Sequence, residues 1–260
     1  MSAPMWRGKP VGRWCLLALG LVLAISPLQS QRGRGRSFEA LPNSPYDGRY
    51  TFVRISYDMG EFGRFGRGEP PWAHDYPRGE RHFTKILSEL SSTRTRTDVS
   101  NIFSFDDPEL FKYPVAYMSE PGFWIPSESE VVNLRNYLAK GGFIIFDDFV
   151  GQHWMNFERQ IARVLPKARP VVLTAAHPIF DAFYRITDLS RYHHPLQGVP
   201  SIFYGIYEDN DPSKRLVAII NYNNDLSELW EFSDEGMFPL DESNEAYKLG
   251  VNYIVYALTR

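Results

Sequence analysis

Two adjacent carboxylates, Asp147 and Asp148, close the run Gly141-Gly142-Phe143-Ile144-Ile145-Phe146. A carboxylate so placed can ligate a metal, act as a general base or anchor a sugar hydroxyl. The structural alternative is a carboxylate that caps the next helix or accepts loop amides. On a strand, neighbouring side chains face opposite ways, so at most one of the pair faces a given pocket. His153 follows five residues after Asp148. Together with Asp58 and Glu120 it could line one cleft, because these residues follow three successive predicted strands, and such a set could hold a divalent cation. No paired-histidine motif such as His-Glu-x-x-His occurs, so the sequence specifies no metal and no cofactor. His74-Asp75 and His193-His194 are weaker candidates, and His177 before Pro178 reads as structural. Phe62, Phe65, Trp72, Tyr76, Phe123, Trp124 and Trp154 crowd the same region, and aromatics beside carboxylates suit carbohydrate or peptide recognition. Trp124 and Trp154 equally suit closing the core.

Several reactions are excluded or disfavoured. Cys15 is the single cysteine. No Gly-x-Ser-x-Gly elbow is present, which disfavours a serine hydrolase. Gly60, Gly63, Gly66 and Gly68 alternate with Arg64 and Arg67, but their spacing fits neither a dinucleotide nor a Walker loop. A flexible surface loop is the expected reading of residues 58–78.

The elements that must position these side chains alternate. Residues 143–146 form a short unbroken apolar run, as in a parallel strand buried on both faces. Ligands of such sheets gather at the carboxyl ends of the strands, where the aspartates lie. Residues 49–57 read as the first strand, with Arg54 implying a partly solvated face. Phe83, Ile86, Leu87 and Leu90 mark a helix. Residues 97–101 and 114–119 read as strands, and 107–111 as a helical turn. Ser127 and Glu130 make a capping box, and Gly141 closes that helix before the central strand. Trp154, Phe157, Ile161 and Leu165 mark a third helix. Residues 169–174 read as a strand, 201–208 and 215–221 as a hairpin, 221–225 as a turn, and 241–258 as a closing helix. The expected fold is an α/β three-layer sandwich, flavodoxin-like, with a mainly parallel sheet and an antiparallel extension near the C-terminus.

At 260 residues and 43% hydrophobic, the chain can bury a sizeable core. A net charge of -3 gives no argument for nucleic acid as partner. Arg7, Lys9 and Arg13 precede an apolar run over residues 14–25, the pattern of a secretory signal or an uncleaved anchor. Residues 1–30 are therefore expected to direct export to the periplasm or beyond. Residues 31–48 read as a linker and 49–260 as one domain. Loss of residues 1–30 would remove Cys15 and with it all thiol chemistry. Membrane contact is expected only through the N-terminal segment.

Trp72-Ala73-His74-Asp75-Tyr76-Pro77, the stretch from Ser127 to Asp148, His177-Pro178-Ile179-Phe180 and Gly250-Val251-Asn252-Tyr253-Ile254-Val255-Tyr256-Ala257-Leu258-Thr259 together resemble an uncharacterised bacterial family, domain of unknown function 4159. The resemblance covers residues 49–260. It implies a fold similar to class I glutamine amidotransferases and ThuA-like proteins. It also implies a protein partner at the envelope, near MoxR-type ATPases and von Willebrand A-domain proteins. Glutamine amidotransferases use a cysteine at a strand-to-helix elbow. This chain has none after Cys15, so that activity does not carry over.

The expectation is an exported, non-catalytic α/β module that binds a protein partner or small ligand at the cell envelope. The alternative is a hydrolase or lyase on a sugar or peptide, with or without a metal, at the strand ends near Asp148 and His153.

Overall fold

In the computed structural model, which describes residues 38–60 and 69–260, the buried apolar run forms strand β4 (Phe143–Phe149), all seven residues of it buried. Residues 1–37, which include the stretch expected to direct export, together with Phe62, Phe65 and most of the glycine-rich loop, lie outside the described residues.

The other elements are β1 (Tyr50–Ile55), α1 (Arg78–Leu90), β2 (Thr95–Phe103), β3 (Val115–Ser119), α2 (Glu128–Ala139), α3 (His153–Val164), β5 (Val171–Val172), β6 (Ile202–Tyr207), β7 (Leu216–Tyr222), α4 (Leu226–Glu231) and α5 (Leu240–Thr259). The seven strands lie in the order β2-β1-β3-β4-β7-β6-β5. The pairs from β2 to β7 are parallel, and β6 is antiparallel to both of its neighbours. Helices α2 and α3 pack on one face over Val53, Met118, Leu134, Phe146 and Phe157. Helices α1, α4 and α5 pack on the other over Phe52, Phe83, Tyr117, Ile145, Trp230 and Tyr253. This is the expected three-layer α/β sandwich, with its antiparallel extension built by β6. The β2-β1-β3-β4 order places the carboxyl ends of β1, β3 and β4 side by side, where a doubly wound sheet binds its ligands.

Local grammar explains the well-formed elements. Ser127 and Glu130 complete the capping box of α2, and Gly141 sits at φ 106 where that helix stops. Two expectations change. The fifth strand shrinks to Val171–Val172, an exposed edge pair. Strand β1 is not solvated on its Arg54 face: Arg54 is 0% exposed. A guanidinium can be buried when its charge and donors are all matched. Here Nε and Nη2 donate to the two carboxylate oxygens of Glu80, at 2.7 and 3.0 Å.

The stretch read as a linker is hydrogen-bonded from within its second half. The Asn43 side chain donates to Ile102 O and accepts from Ile102 N, both at 2.8 Å. It therefore pairs with the outer edge of β2 as a neighbouring strand would, and covers groups that would otherwise invite aggregation.

Candidate functional site

Four strand ends deliver the polar residues. After β1 the chain runs to His74 and Asp75, and Arg54 ties this loop down by donating through Nη1 to Trp72 O (3.0 Å) and His74 O (2.9 Å). Strand β3 ends at Ser119, followed by Glu120. Strand β4 reaches Asp147 and Asp148. Beyond β7, Asp225 caps α4, its Oδ1 accepting from Glu228 N at 2.9 Å.

Three of these residues hold left-handed backbones: Asp75 (φ 64), Glu120 (φ 47) and Asp148 (φ 59). Outside glycine this conformation is uncommon and strained, and it concentrates at functional sites. At Asp148 it coincides with a slip in the β4–β7 register between Phe146 and Phe149. The strand alternation breaks there, and Asp148 turns toward the end of the sheet.

The side chains converge. Asp148 Oδ2 accepts from Ser119 Oγ and lies beside His74 Nδ1, each at 3.0 Å. His74 Nδ1 is 3.7 Å from Asp75 Oδ2, which accepts from Ser227 Oγ at 2.5 Å. Three sets of groups have donor atoms within 4.8 Å of one another: His74, Glu120 and Asp148; Asp148, His194 and Asp225; and His74, Asp75, Asp225 and Glu228. These are the residues that could hold a cation.

Burial sets the electrostatics. It raises the Asp148 carboxyl well above the usual range, and the charges of Glu120, Asp75 and Asp147 add to the effect. Asp225 rises in the same way, through burial and then Asp148. Burial pushes Glu120 up to about 7 and Asp75 up to about 6, with His74 pulling both back. Glu231 is pushed up to about 7 by burial and by its contact with Asp75. Burial opposes the proton on His74, but Asp75, Asp225, Glu120 and Glu228 outweigh it and raise its pKa. The centre is an excess of buried carboxylates that must gather protons or a cation.

Glu120 and Asp148 enter this cluster, as do the weaker candidates His74, Asp75 and His194, whereas Asp58, Trp124, Asp147 and His153 stand apart. Asp147 is fully buried beneath it and accepts from Tyr117 OH (2.7 Å), Asn221 Nδ2 (3.0 Å) and Leu226 N (2.9 Å). It caps a helix, but α4 rather than α3. Asp58 is exposed and accepts from Gly60 N at 2.9 Å. Trp124 is 0% exposed and packs on Phe105 and Phe146 in the core. His153 packs edge-on against Phe123, its ring centroid 4.5 Å away, and burial lowers its pKa.

Asp225 falls in the stretch 221–225 that reads as a turn, and Glu228 lies just beyond it. The signal was present: Asp225-x-x-Glu228 is a helix-start pattern. His74 and Asp75 read from sequence only as weaker candidates, because the Arg54 bonds that place their loop span about twenty residues.

The fold and the strand-end cluster define an α/β sandwich domain with a buried acidic centre at the carboxyl ends of its parallel strands. The family model named "Domain of unknown function (DUF4159)" matches residues 51–258, and the chain belongs to that family. No curated protein matches it. Among the described residues, no helix is long and apolar enough to cross a membrane.

Proposed function

We propose that this chain is an exported, non-catalytic α/β module of the cell envelope that binds a ligand where Asp75, Glu120 and Asp148 meet. One observation carries the reading. Three carboxylate residues at or beyond the ends of three separate strands hold left-handed backbones, and their side chains gather around His74. Each such backbone costs about 1–3 kcal/mol, a cost retained where function needs the geometry. Export rests on Arg7, Lys9 and Arg13 ahead of the apolar run at residues 14–25. An envelope protein partner of the MoxR or von Willebrand A-domain kind rests on the family resemblance.

A second reading, a hydrolase or lyase on a sugar or peptide, is favoured by the pairing of groups near neutrality. Glu120 at about 7 and Asp75 at about 6 lie beside a histidine whose pKa is raised. Acid and base would then both be on hand at neutral pH. In that reading the work falls to Glu120, Asp148 and His74, not to His153.

A melting screen against sugars, peptidoglycan fragments and nucleotides tests both. A ligand at 100 times its Kd adds about 2.7 kcal/mol, or roughly 5–10 °C for a domain this size. Such a shift, lost in Asp148→Asn and kept in Asp58→Asn, supports the site. Turnover of the hit that disappears in Glu120→Gln moves the reading to the enzyme. A flat screen on folded protein, with partner capture unchanged by Asp148→Asn, removes the site from the function.

A further inference from the structure

We propose that the strand-end cluster is a metal centre in which His74, Glu120 and Asp148 hold a divalent transition-metal cation, with Asp225 as the carboxylate behind. The proposal rests on the reading of the strand ends as a ligand site and names the ligand class.

The spacing fits. Donors about 2.1 Å from a metal stand about 3.0 Å apart when adjacent in octahedral geometry. His74 Nδ1 and Asp148 Oδ2 are 3.0 Å apart, the separation of two such adjacent ligands. The remaining donor atoms of this set fall within 4.8 Å, so a small contraction closes it. The donor types also select. One imidazole with hard carboxylate oxygens suits zinc, manganese or ferrous iron, whereas an all-oxygen cage would suit calcium or magnesium.

A separate observation points to a missing positive charge. Asp75 is 5% exposed, and its Oδ1 is sealed from solvent with no N–H or O–H donor among the described residues, apart from any proton held by Glu231. Asp147, by contrast, has three donors on its two oxygens. A buried acceptor facing a carboxylate excess needs a proton or a cation. The cation is favoured because Ser119 and Ser227 already donate to Asp148 and Asp75 from outside. Such outer hydrogen bonds orient ligating carboxylates in metal sites.

The test is calorimetric titration of the chelator-treated full chain with Zn2+, Mn2+ and Mg2+. Saturable binding is expected in the order zinc, then manganese, then magnesium. Asp148→Asn and Glu120→Gln should each weaken it at least about tenfold, and Ser119→Ala, a positioning residue, by about 10–100-fold. Circular dichroism establishes that each variant folds; should Asp148→Asn fail to fold, Glu120→Gln and Ser119→Ala carry the comparison. No saturable binding by folded protein, or affinity unchanged in the variants, overturns the metal centre. An organic ligand whose melting shift still depends on Asp148 would then leave the ligand site standing without a metal, whereas loss of both results would sink both.

Discussion

Arg54→Met should be among the most damaging single changes available in this domain. Arg54 and Glu80 have side chains 0% and 1% exposed and meet in a two-pronged ion pair. Removing the guanidinium strands a buried carboxylate, which costs about 3–5 kcal/mol. It also leaves Trp72 O and His74 O without the donor that holds their loop. The stranded carboxylate alone should lower unfolding midpoints by roughly 6–20 °C, at 2–4 °C per kcal/mol for a domain this size. Arg54→Met with Glu80→Met replaces the pair by apolar volume, which by itself is near neutral. The two carbonyls stay unsatisfied, at about 1–3 kcal/mol each, so the double variant should settle about 2–6 kcal/mol below the parent. Urea denaturation of the parent, both single variants and the double variant closes a cycle whose coupling should be about 6–10 kcal/mol, the stranded-charge cost of each single variant that the double variant avoids. A cost below about 1 kcal/mol for Arg54→Met, or a double variant no more stable than the single, would refute the account of a matched buried charge. Ligand or metal binding offers a second readout, because the same guanidinium fixes His74 and Asp75.

Other outcomes follow from the same geometry. Asp147→Asn should cost about 2–3 kcal/mol in urea denaturation, since its amide nitrogen must replace one of two oxygens that each already accept, and would there face a group that donates. Asp148→Asn in metal-free protein should be neutral or stabilising in the same assay, because its amide can donate to neighbouring carboxylates; equal costs at the two positions would contradict the distinction. Gly122→Ala should destabilise by about 1–3 kcal/mol, because a Cβ there would stand 2.4 Å from the Cβ of His153; an unchanged melting temperature would show that the turn after β3 gives way. His177 is kept neutral by burial, and its Nδ1 accepts from Ile179 N at 3.2 Å. With its folded pKa below the unfolded value of about 6.5, its contribution is present above that pH and lost as pH falls through the folded value. His177→Asn, which keeps an acceptor, should flatten this part of the stability profile between pH 7 and pH 5, and profiles that stay parallel would refute it.

Much of the architecture was written locally. The unbroken run of β4, the Ser127–Glu130 capping box, the stripe of α1 and the alternation of the β6–β7 hairpin each depend on residues close in sequence. Such signals survive without tertiary information because period and capping act over a few residues. The carboxyl end of β4 is legible as the place for a candidate site, and Glu120 and Asp148 lie together there.

The composition of that site was decided by the tertiary structure. Whether a carboxylate is structural or free depends on which donors reach it, and those of Asp147 come from β3, β7 and α4. His74 and Asp75 join only because Arg54 of β1 clamps their loop, and Asp225 joins only because β7 lies beside β4. His153 and Asp58 have the right residue types near the right strand ends, yet they turn elsewhere. Sequence gave the strand ends their position because hydrophobic period is local. Which side chains meet there was settled by long-range pairing and by matching buried charge, and neither leaves a mark in a short window of sequence.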